Sequence, residues 1–310
     1  MTRQLVVLGT SAQTPTRDRN HVGFVLRWDA DTFLVDPGEG TQRQMLRAGV
    51  TTNQIDHVCI THLHGDHCLG LPGFLGRVSM DRVKHPIELH YPISGEPFVE
   101  RMRHAAVYDD RGHIIERPIA GDGQIAATDR WTLSARRLDH SIETYGYRIE
   151  EAPGRTFLPD RLDEAGIHGP MVAELEHEGR ISVGGRTITV EEVSVPRPGQ
   201  VVAFVLDTRV CDAAVELATG ADLVVFESTF VADEDHLADA YFHLTARQAA
   251  TIAREAGARR LVLAHYSQRH PDESVFLAEA SEVHPDVVAA RDLDVIAVPP
   301  RAGSVVPGET

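Results

Sequence analysis

Apolar positions along the chain follow two spacings, and the first marks strands. Residues 5–9, 22–28 and 32–35 read as strands, the last two joined by a turn at Asp29 to Asp31. Residues 55–60 form another short apolar run, of the length a buried strand takes. Residues 131–138 and 144–150 resemble paired strands. Residues 201–206, 223–226 and 261–264 are apolar without alternation, the pattern of strands covered on both faces. The second spacing is helical and covers residues 40–48, 245–256 and 273–283. It also begins after Asp66, a residue type that caps helix N-termini. This mixture predicts an α/β protein with two sheets face to face and helices outside.

One stretch breaks the rhythm. From about 152 to 199 the chain is rich in Pro, Gly and charge, which fits an inserted arm or an ordinary surface excursion. At 310 residues there is room for one large domain with an ample core, and 42% apolar against 25% charged residues fits a globular chain. No apolar run reaches bilayer length, and residues 1–10 lack a basic region followed by a long apolar one. The expectation is a cytoplasmic protein with no membrane partner. Cys59, Cys68 and Cys211 are odd in number and lie in or beside apolar segments, so buried free thiols are expected.

A formal net charge of −16 argues against non-specific coating of nucleic acid, but not against a local basic groove. Candidate basic clusters are Arg77, Arg82 and Lys84; Arg101 and Arg103; and Arg136 with Arg137. Lys84 is the only lysine, so arginine supplies nearly all positive charge.

The densest chemistry lies in Thr61-His62-Leu63-His64-Gly65-Asp66-His67, directly after an apolar run. An H-x-H-x-D-H loop suits two adjacent cations better than one, because a tetrahedral zinc rarely takes four ligands from so short a stretch. Three more candidates follow apolar strands in the same way: His140 in Leu138-Asp139-His140, Asp207 in Leu206-Asp207-Thr208-Arg209, and His265 in Ala264-His265-Tyr266. Side chains at strand ends are held by a rigid scaffold. The expected arrangement has His62, His64 and His140 on one ion, Asp66, His67 and His265 on a second, and Asp207 bridging. Nitrogen and oxygen ligands favour two zinc ions per chain, with manganese or iron as alternatives. Ions roughly 3.5–4 Å apart would acidify a shared water and clamp the oxygens of an in-line displacement.

With these residues assembled, the chain resembles the metallo-β-lactamase superfamily and, within it, the ribonuclease Z family. The resemblance spans nearly the whole length. Leu8-Gly9-Thr10 followed by Pro15-Thr16-Arg17-Asp18-Arg19-Asn20 matches that family's opening strand and P-T-x-x-R-N loop. Asp36-Pro37-Gly38-Glu39-Gly40-Thr41-Gln42-Arg43-Gln44 matches its D-x-G-E-G-T-Q-R-Q segment. His64-Gly65-Asp66-His67 running into Gly70-Leu71-Pro72-Gly73, Asp207-Thr208-Arg209, Glu227-Ser228-Thr229-Phe230 and His265-Tyr266-Ser267-Gln268-Arg269 complete the series.

The resemblance implies a four-layer αββα sandwich over residues 1–310 as a single domain, with the 152–199 stretch as an inserted arm. It implies a zinc-dependent homodimeric endoribonuclease that removes the 3′ trailer from precursor tRNA and leaves a 3′-hydroxyl. Asp66 would accept the proton of a metal-activated water, while His243, with Glu227, would protonate the departing oxygen. Asp36 would fix a ligand imidazole. Arg19, Asn20, Arg209 and Arg269 would contact phosphate oxygens. Gly169 and Pro170, in Gly166-Ile167-His168-Gly169-Pro170, resemble the glycine-proline motif of an arm that grips tRNA. Two departures stand out. Glu174, Glu176, His177 and Glu178 occupy the place of a lysine-rich segment, and Leu206 stands where glycine commonly precedes D-T-R.

Three rival readings follow. A small-molecule ester, phosphodiester or lactone hydrolase of the same superfamily would share the ligands but not the family-specific segments. A di-iron oxidoreductase of this fold would carry glutamate at the position of His64 and an appended flavin domain. A metal-stabilised RNA-binding module would have no need of Asp66.

Overall fold

The structure is a computed structural model that describes residues 3–301. Its core is made by alternation. Leu5 and Val7 point to one side of their strand, and Val6 and Leu8 to the other; both sides are buried. The apolar run at 201–206 divides in the same way. Val202, Phe204 and Leu206 enter the space between two sheets, while Val201, Ala203 and Val205 pack beneath helices. A strand covered on both faces must be apolar at every position, which is why these runs lack a polar alternate.

Two seven-stranded sheets result. In spatial order the first is Val295–Ala297, Gln4–Gly9, Gly23–Trp28, Asp31–Val35, His57–Cys59, Ile87–Pro92 and Ile114–Ile119. The second is Val287–Ala289, Leu261–Ala264, Leu223–Glu227, Val201–Val205, Tyr145–Glu151, Trp131–Arg137 and Gly123–Ala127. Helices Thr41–Arg47, Leu71–Asp81 and Glu96–Arg103 cover the outer face of the first sheet through Met45, Phe74, Val78 and Val99. Helices Asp212–Ala218, Ala246–Glu255 and Ser274–Ser281 cover the second through Leu217, Ala249, Ile252 and Phe276. The product is a four-layer αββα sandwich.

Each sheet has a parallel half. Asp31–Val35, His57–Cys59, Ile87–Pro92 and Ile114–Ile119 run together in the first. Val201–Val205, Leu223–Glu227, Leu261–Ala264 and Val287–Ala289 do so in the second. Polar residues just past the carboxyl ends of parallel strands therefore gather in one crevice, where open α/β sheets characteristically bind ligands.

Some elements depart from the sequence expectation. The helix after Asp66 is two helices, Gly65–Cys68 and Leu71–Asp81, and His64 rather than Asp66 occupies the first N-cap. Leu69 and Gly70 lie between them, and position 70 must be glycine because a Cβ there would sit 2.0 Å from the Gly38 carbonyl oxygen. Strands Ile87–Pro92 and Ile114–Ile119 were hidden by Glu88, His90, Pro92, Glu116 and Pro118, which interrupt any apolar pattern. Cys59 and Cys68 are buried and Cys211 half-buried, all three as free thiols. Several arginines of the candidate basic clusters are paired with acids: Arg77 with Asp81, Arg103 with Glu116 and Asp110, and Arg136 with Glu216. Among the described residues, no helix is long and apolar enough to cross a membrane.

The segment beyond the second sheet builds its own small unit. Gly154–Phe157 pairs with Ser194–Arg197, and Arg180–Val183 with Arg186–Thr189. Ile167, Leu175, Ile181, Ile188, Val190 and Val193 form a core separate from the three clusters of the sandwich.

Phe204 is fully buried between the sheets, with its ring 5.9 Å from that of Phe24. Phe204→Ala should destabilise the protein by about 3–5 kcal/mol, read from the urea midpoint; a loss below about 1 kcal/mol would mean that the two sheets do not share this core.

Candidate metal centre

Five strand ends build the crevice. Asp36 follows Asp31–Val35, Thr61 and His62 follow His57–Cys59, Asp207 follows Val201–Val205, Glu227 ends its own strand, and His265 follows Leu261–Ala264. Asp36, Asp207 and His265 have positive φ, at 47°, 43° and 60°. Non-glycine residues in the left-handed region are strained, and such strain persists only where the surroundings fix it. Here the strain turns each side chain sharply off its strand and into the crevice.

Two carboxylates with no solvent exposure do the fixing. Asp36 accepts hydrogen bonds from the Thr61 amide, the Thr61 hydroxyl and His67 Nδ1, each at 2.7 Å. The Thr61 oxygen, having donated to Asp36, accepts from His62 Nδ1 at 3.0 Å. Glu227 mirrors this. It accepts from the Thr208 amide at 2.6 Å, the Thr229 hydroxyl at 2.6 Å and His243 Nδ1 at 3.0 Å. The Thr229 oxygen then accepts from His265 Nδ1 at 2.8 Å. Each carboxylate thus orients one imidazole directly and a second through a threonine. His140 is set differently, donating Nδ1–H to the Phe242 carbonyl at 3.0 Å.

These partners assign the tautomers. With the proton on Nδ1, His62, His67, His140 and His265 present bare Nε2 atoms to the centre, and His64 presents Nδ1. His62 Nε2 and His140 Nε2 lie 3.0 and 3.3 Å from His64 Nδ1. His67 Nε2 lies 3.2 Å from His265 Nε2. Lone pairs at such separations repel, unless a cation lies between them. Donors on a tetrahedral ion at about 2.0–2.1 Å are themselves about 3.4 Å apart, so the spacing fits the group.

Asp207 divides between the two sets. Its Oδ2 is 3.5 Å from His62 Nε2 and 3.7 Å from His140 Nε2. Its Oδ1 is 3.3 Å from His67 Nε2 and 3.1 Å from His265 Nε2, and it is buried without a hydrogen-bond partner. Asp66 Oδ2 faces the second set alone, 3.4 Å from both His67 and His265. The geometry therefore forms two main donor groups, His62–His64–His140–Asp207 and Asp66–His67–His265, and an overlapping set, Asp207–His243–His265, that shares one residue with each.

Charge follows geometry. Burial pushes His62, His64 and His140 down, so they stay neutral donors. Burial also disfavours charge on His67, but Asp207, Asp66 and Asp36 outweigh it and raise this imidazole well above the usual range. Burial opposes ionisation of Asp66 and Asp207, yet the surrounding imidazoles hold both far below the ordinary carboxylate range. The cage demands positive charge, which a divalent cation supplies in place of protons. His243 stands over both groups, its ring 5.3 Å from His140 and 5.4 Å from His265. Burial lowers its pKa, but Glu227 and Asp207 reverse this and bring it up to about 9.

The crevice opens into a cavity of about 500 Å³ lined by Gln13, Tyr241, Phe242, Ser267, Gln268 and Arg269 beside the histidines. Arg269 is therefore at the mouth, its guanidinium over the Phe230 ring. Three other residues expected at phosphate oxygens lie outside the lining. Arg19 is buried, donates to the His270 carbonyl at 2.7 Å and pairs with Glu273. The Asn20 amide spans the His21 and Glu39 carbonyls. Arg209 forks onto Asp139 and stacks on Phe242. Their geometry makes them braces for the loops around the centre. Gly169 and Pro170 open a helix, Pro170–Glu178, in the separate unit. Sequence reasoning missed Thr61, Thr208 and Thr229; a threonine beside or between metal-ligand residue types was the available signal.

The fold and this histidine-aspartate centre define a class. Residues 17–214 match the family model described as the metallo-beta-lactamase superfamily, and residues 167–266 match a beta-lactamase superfamily domain. A ribonuclease Z from Salinispora arenicola is 54% identical over 301 residues, covering 97% of both chains. One from Chlamydia trachomatis serovar L2 is 40% identical over 94% of this chain and 95% of its own. The crystal structure of human tRNase Z, short form, aligns with a TM-score of 0.71 at 26% identity, covering 96% of this chain and 99% of that one. The chain belongs to the ribonuclease Z family within that superfamily.

Asp36→Asn keeps the shape of the residue but removes the charge that orients His67 and, through Thr61, His62. It should weaken zinc affinity by about 10- to 100-fold in competition with a chelator; unchanged affinity would show that the imidazoles need no such anchor.

Proposed function

We propose that the protein is a zinc-dependent endoribonuclease that removes the 3′ trailer from precursor tRNA and leaves a 3′-hydroxyl on the tRNA. The observation that carries this reading is Asp207, whose two oxygens serve separate donor groups, with Asp66 on one side and His243 above both. His62, His64, His140 and Asp207 would hold one ion; Asp66, His67, His265 and Asp207 would hold the other. Bound there, a zinc pair supplies Lewis acidity that activates water and neutralises phosphate charge.

The protein's own groups do the rest. Asp66, held ionised by its imidazole neighbours, accepts the proton of the attacking water. His243, held as imidazolium by Glu227, donates a proton to the departing ribose oxygen. Glu227 is fully buried and tied to Thr208 and Thr229, so it acts by orienting His243 rather than by meeting substrate. Arg269 at the cavity mouth is placed to meet a phosphate oxygen. The unit carrying Gly169 and Pro170 would engage tRNA away from the cut. Its exposed Glu174, Glu176 and Glu178 repel phosphate, so backbone amides would carry that contact. A cytoplasmic homodimer completes the proposal, in keeping with the family resemblance.

The test is a tRNA bearing a 3′ extension, with product ends mapped to the nucleotide. Zinc-loaded protein should cut after the discriminator base, and Asp66→Ala should abolish the cut. His243→Ala should slow it by about 10²–10⁴ while sparing an aryl phosphodiester, whose phenolate leaves without a proton. Failure to cut with zinc or manganese supplied, beside turnover of small esters, would replace this reading with that of a small-molecule hydrolase.

A further inference from the structure

A second histidine cluster lies at the other end of the strand that feeds the metal centre. His57 opens the strand His57–Cys59, and its register partner on the neighbouring parallel strand is Glu88; Cys59 pairs likewise with His90. Residues in register on parallel strands share a face. Because Cys59 belongs to the core between the sheets, His57, Glu88 and His90 all point inward there. Their ligand atoms lie within 4.8 Å of one another.

The details are those of a donor set. Glu88 Oε2 is 3.6 Å from His57 Nδ1 and 3.5 Å from His90 Nε2, at or beyond the limit of a hydrogen bond. Both nitrogens, and His90 Nδ1 as well, are buried with no hydrogen-bond partner. His90 is completely buried and His57 is 8% exposed. Unsatisfied buried polar atoms cost about 1–3 kcal/mol each, and folded proteins carry few of them. The Glu88 carboxylate is already divided: Oε1 accepts from Arg117 at 2.9 Å, and Oε2 is left to the histidines. The His57 ring is immobilised, stacked on Phe33 at 4.7 Å with Trp131 edge-on at 5.2 Å. The 3.5–3.6 Å spacing matches the edge, about 3.4 Å, of a tetrahedron of donors around zinc.

We propose that His57 Nδ1, Glu88 Oε2 and His90 Nε2 supply three donors of a second metal site, for a divalent cation of the zinc class, with the fourth position left to water on the solvent-reached side of Glu88 and a role in bracing the fold. Two imidazoles with one carboxylate suit zinc ahead of magnesium or calcium, which prefer oxygen. An ion there satisfies two of the three orphaned nitrogens and ties His57–Cys59 to Ile87–Pro92, the strand that flanks the ligand-bearing loop. It would bind folded protein alone and so raise thermal stability.

The test counts metal in the whole protein. Zinc-saturated protein, dialysed against metal-free buffer, should carry one more zinc per chain than His57→Phe or His90→Phe prepared in the same way. Its melting temperature should rise further with zinc than that of either variant, and Glu88→Gln should hold the extra ion more weakly. Equal zinc counts in wild type and folded variants would overturn the proposal. If the variants do not fold, ring ¹⁵N resonances of the wild type decide. Zinc should shift His57 Nδ1 and His90 Nε2, and resonances that stay fixed while those of His62 and His265 move would exclude the site.

Discussion

Asp36 and Glu227 are carboxylates without solvent exposure, and a charge in that position must be met by hydrogen bonds from several directions. Each finds them in a backbone amide, a threonine hydroxyl and an imidazole. Satisfying the carboxylate and aiming the histidine are therefore the same act. Because the threonine oxygens pass the constraint on to His62 and His265, two buried charges set the tautomer and direction of four rings. The convergence of His62, His67 and His265 depends on that restraint: their Nε2 atoms meet because each Nδ1 proton already has a partner, while His140 is held by the Phe242 carbonyl.

The sandwich supplies the other half of the arrangement. Asp36 follows a strand of the first sheet and Glu227 ends a strand of the second, so each sheet contributes one anchor; the histidines bonded to them, His67 on helix Gly65–Cys68 and His243 just before helix Ala246–Glu255, come from the connections. Asp207 lies between, strained into the left-handed region and offering one oxygen to each donor group. Each donor group takes residues from both halves of the sandwich, so packing between the sheets, through residues such as Phe24 and Phe204, sets how the donors within each group meet.

Much of this was legible in the sequence because rigid strands make polar residues at their ends conspicuous. The runs at 201–206, 223–226 and 261–264 marked strands covered on both faces, and Asp207 and His265, directly after two of them, marked the crevice. Asp36 could be named as an orienting group. Elements with mixed character were harder: Ile87–Pro92 carries Glu88 and His90 into the core, so its pattern does not announce a strand. The arginines exposed a limit of another kind. Arg19 and Arg209 have the chemistry of phosphate contacts, but a guanidinium serves equally to brace loops, and the structure shows them paired with Glu273 and Asp139.

Diffraction from zinc-loaded crystals, with anomalous differences recorded at the zinc edge, tests the central geometry most directly. Two peaks roughly 3.5–4 Å apart should straddle the Asp207 carboxylate, one beside His62, His64 and His140, the other beside Asp66, His67 and His265. A single peak there, or Asp207 turned wholly toward one set of histidines, would contradict the account.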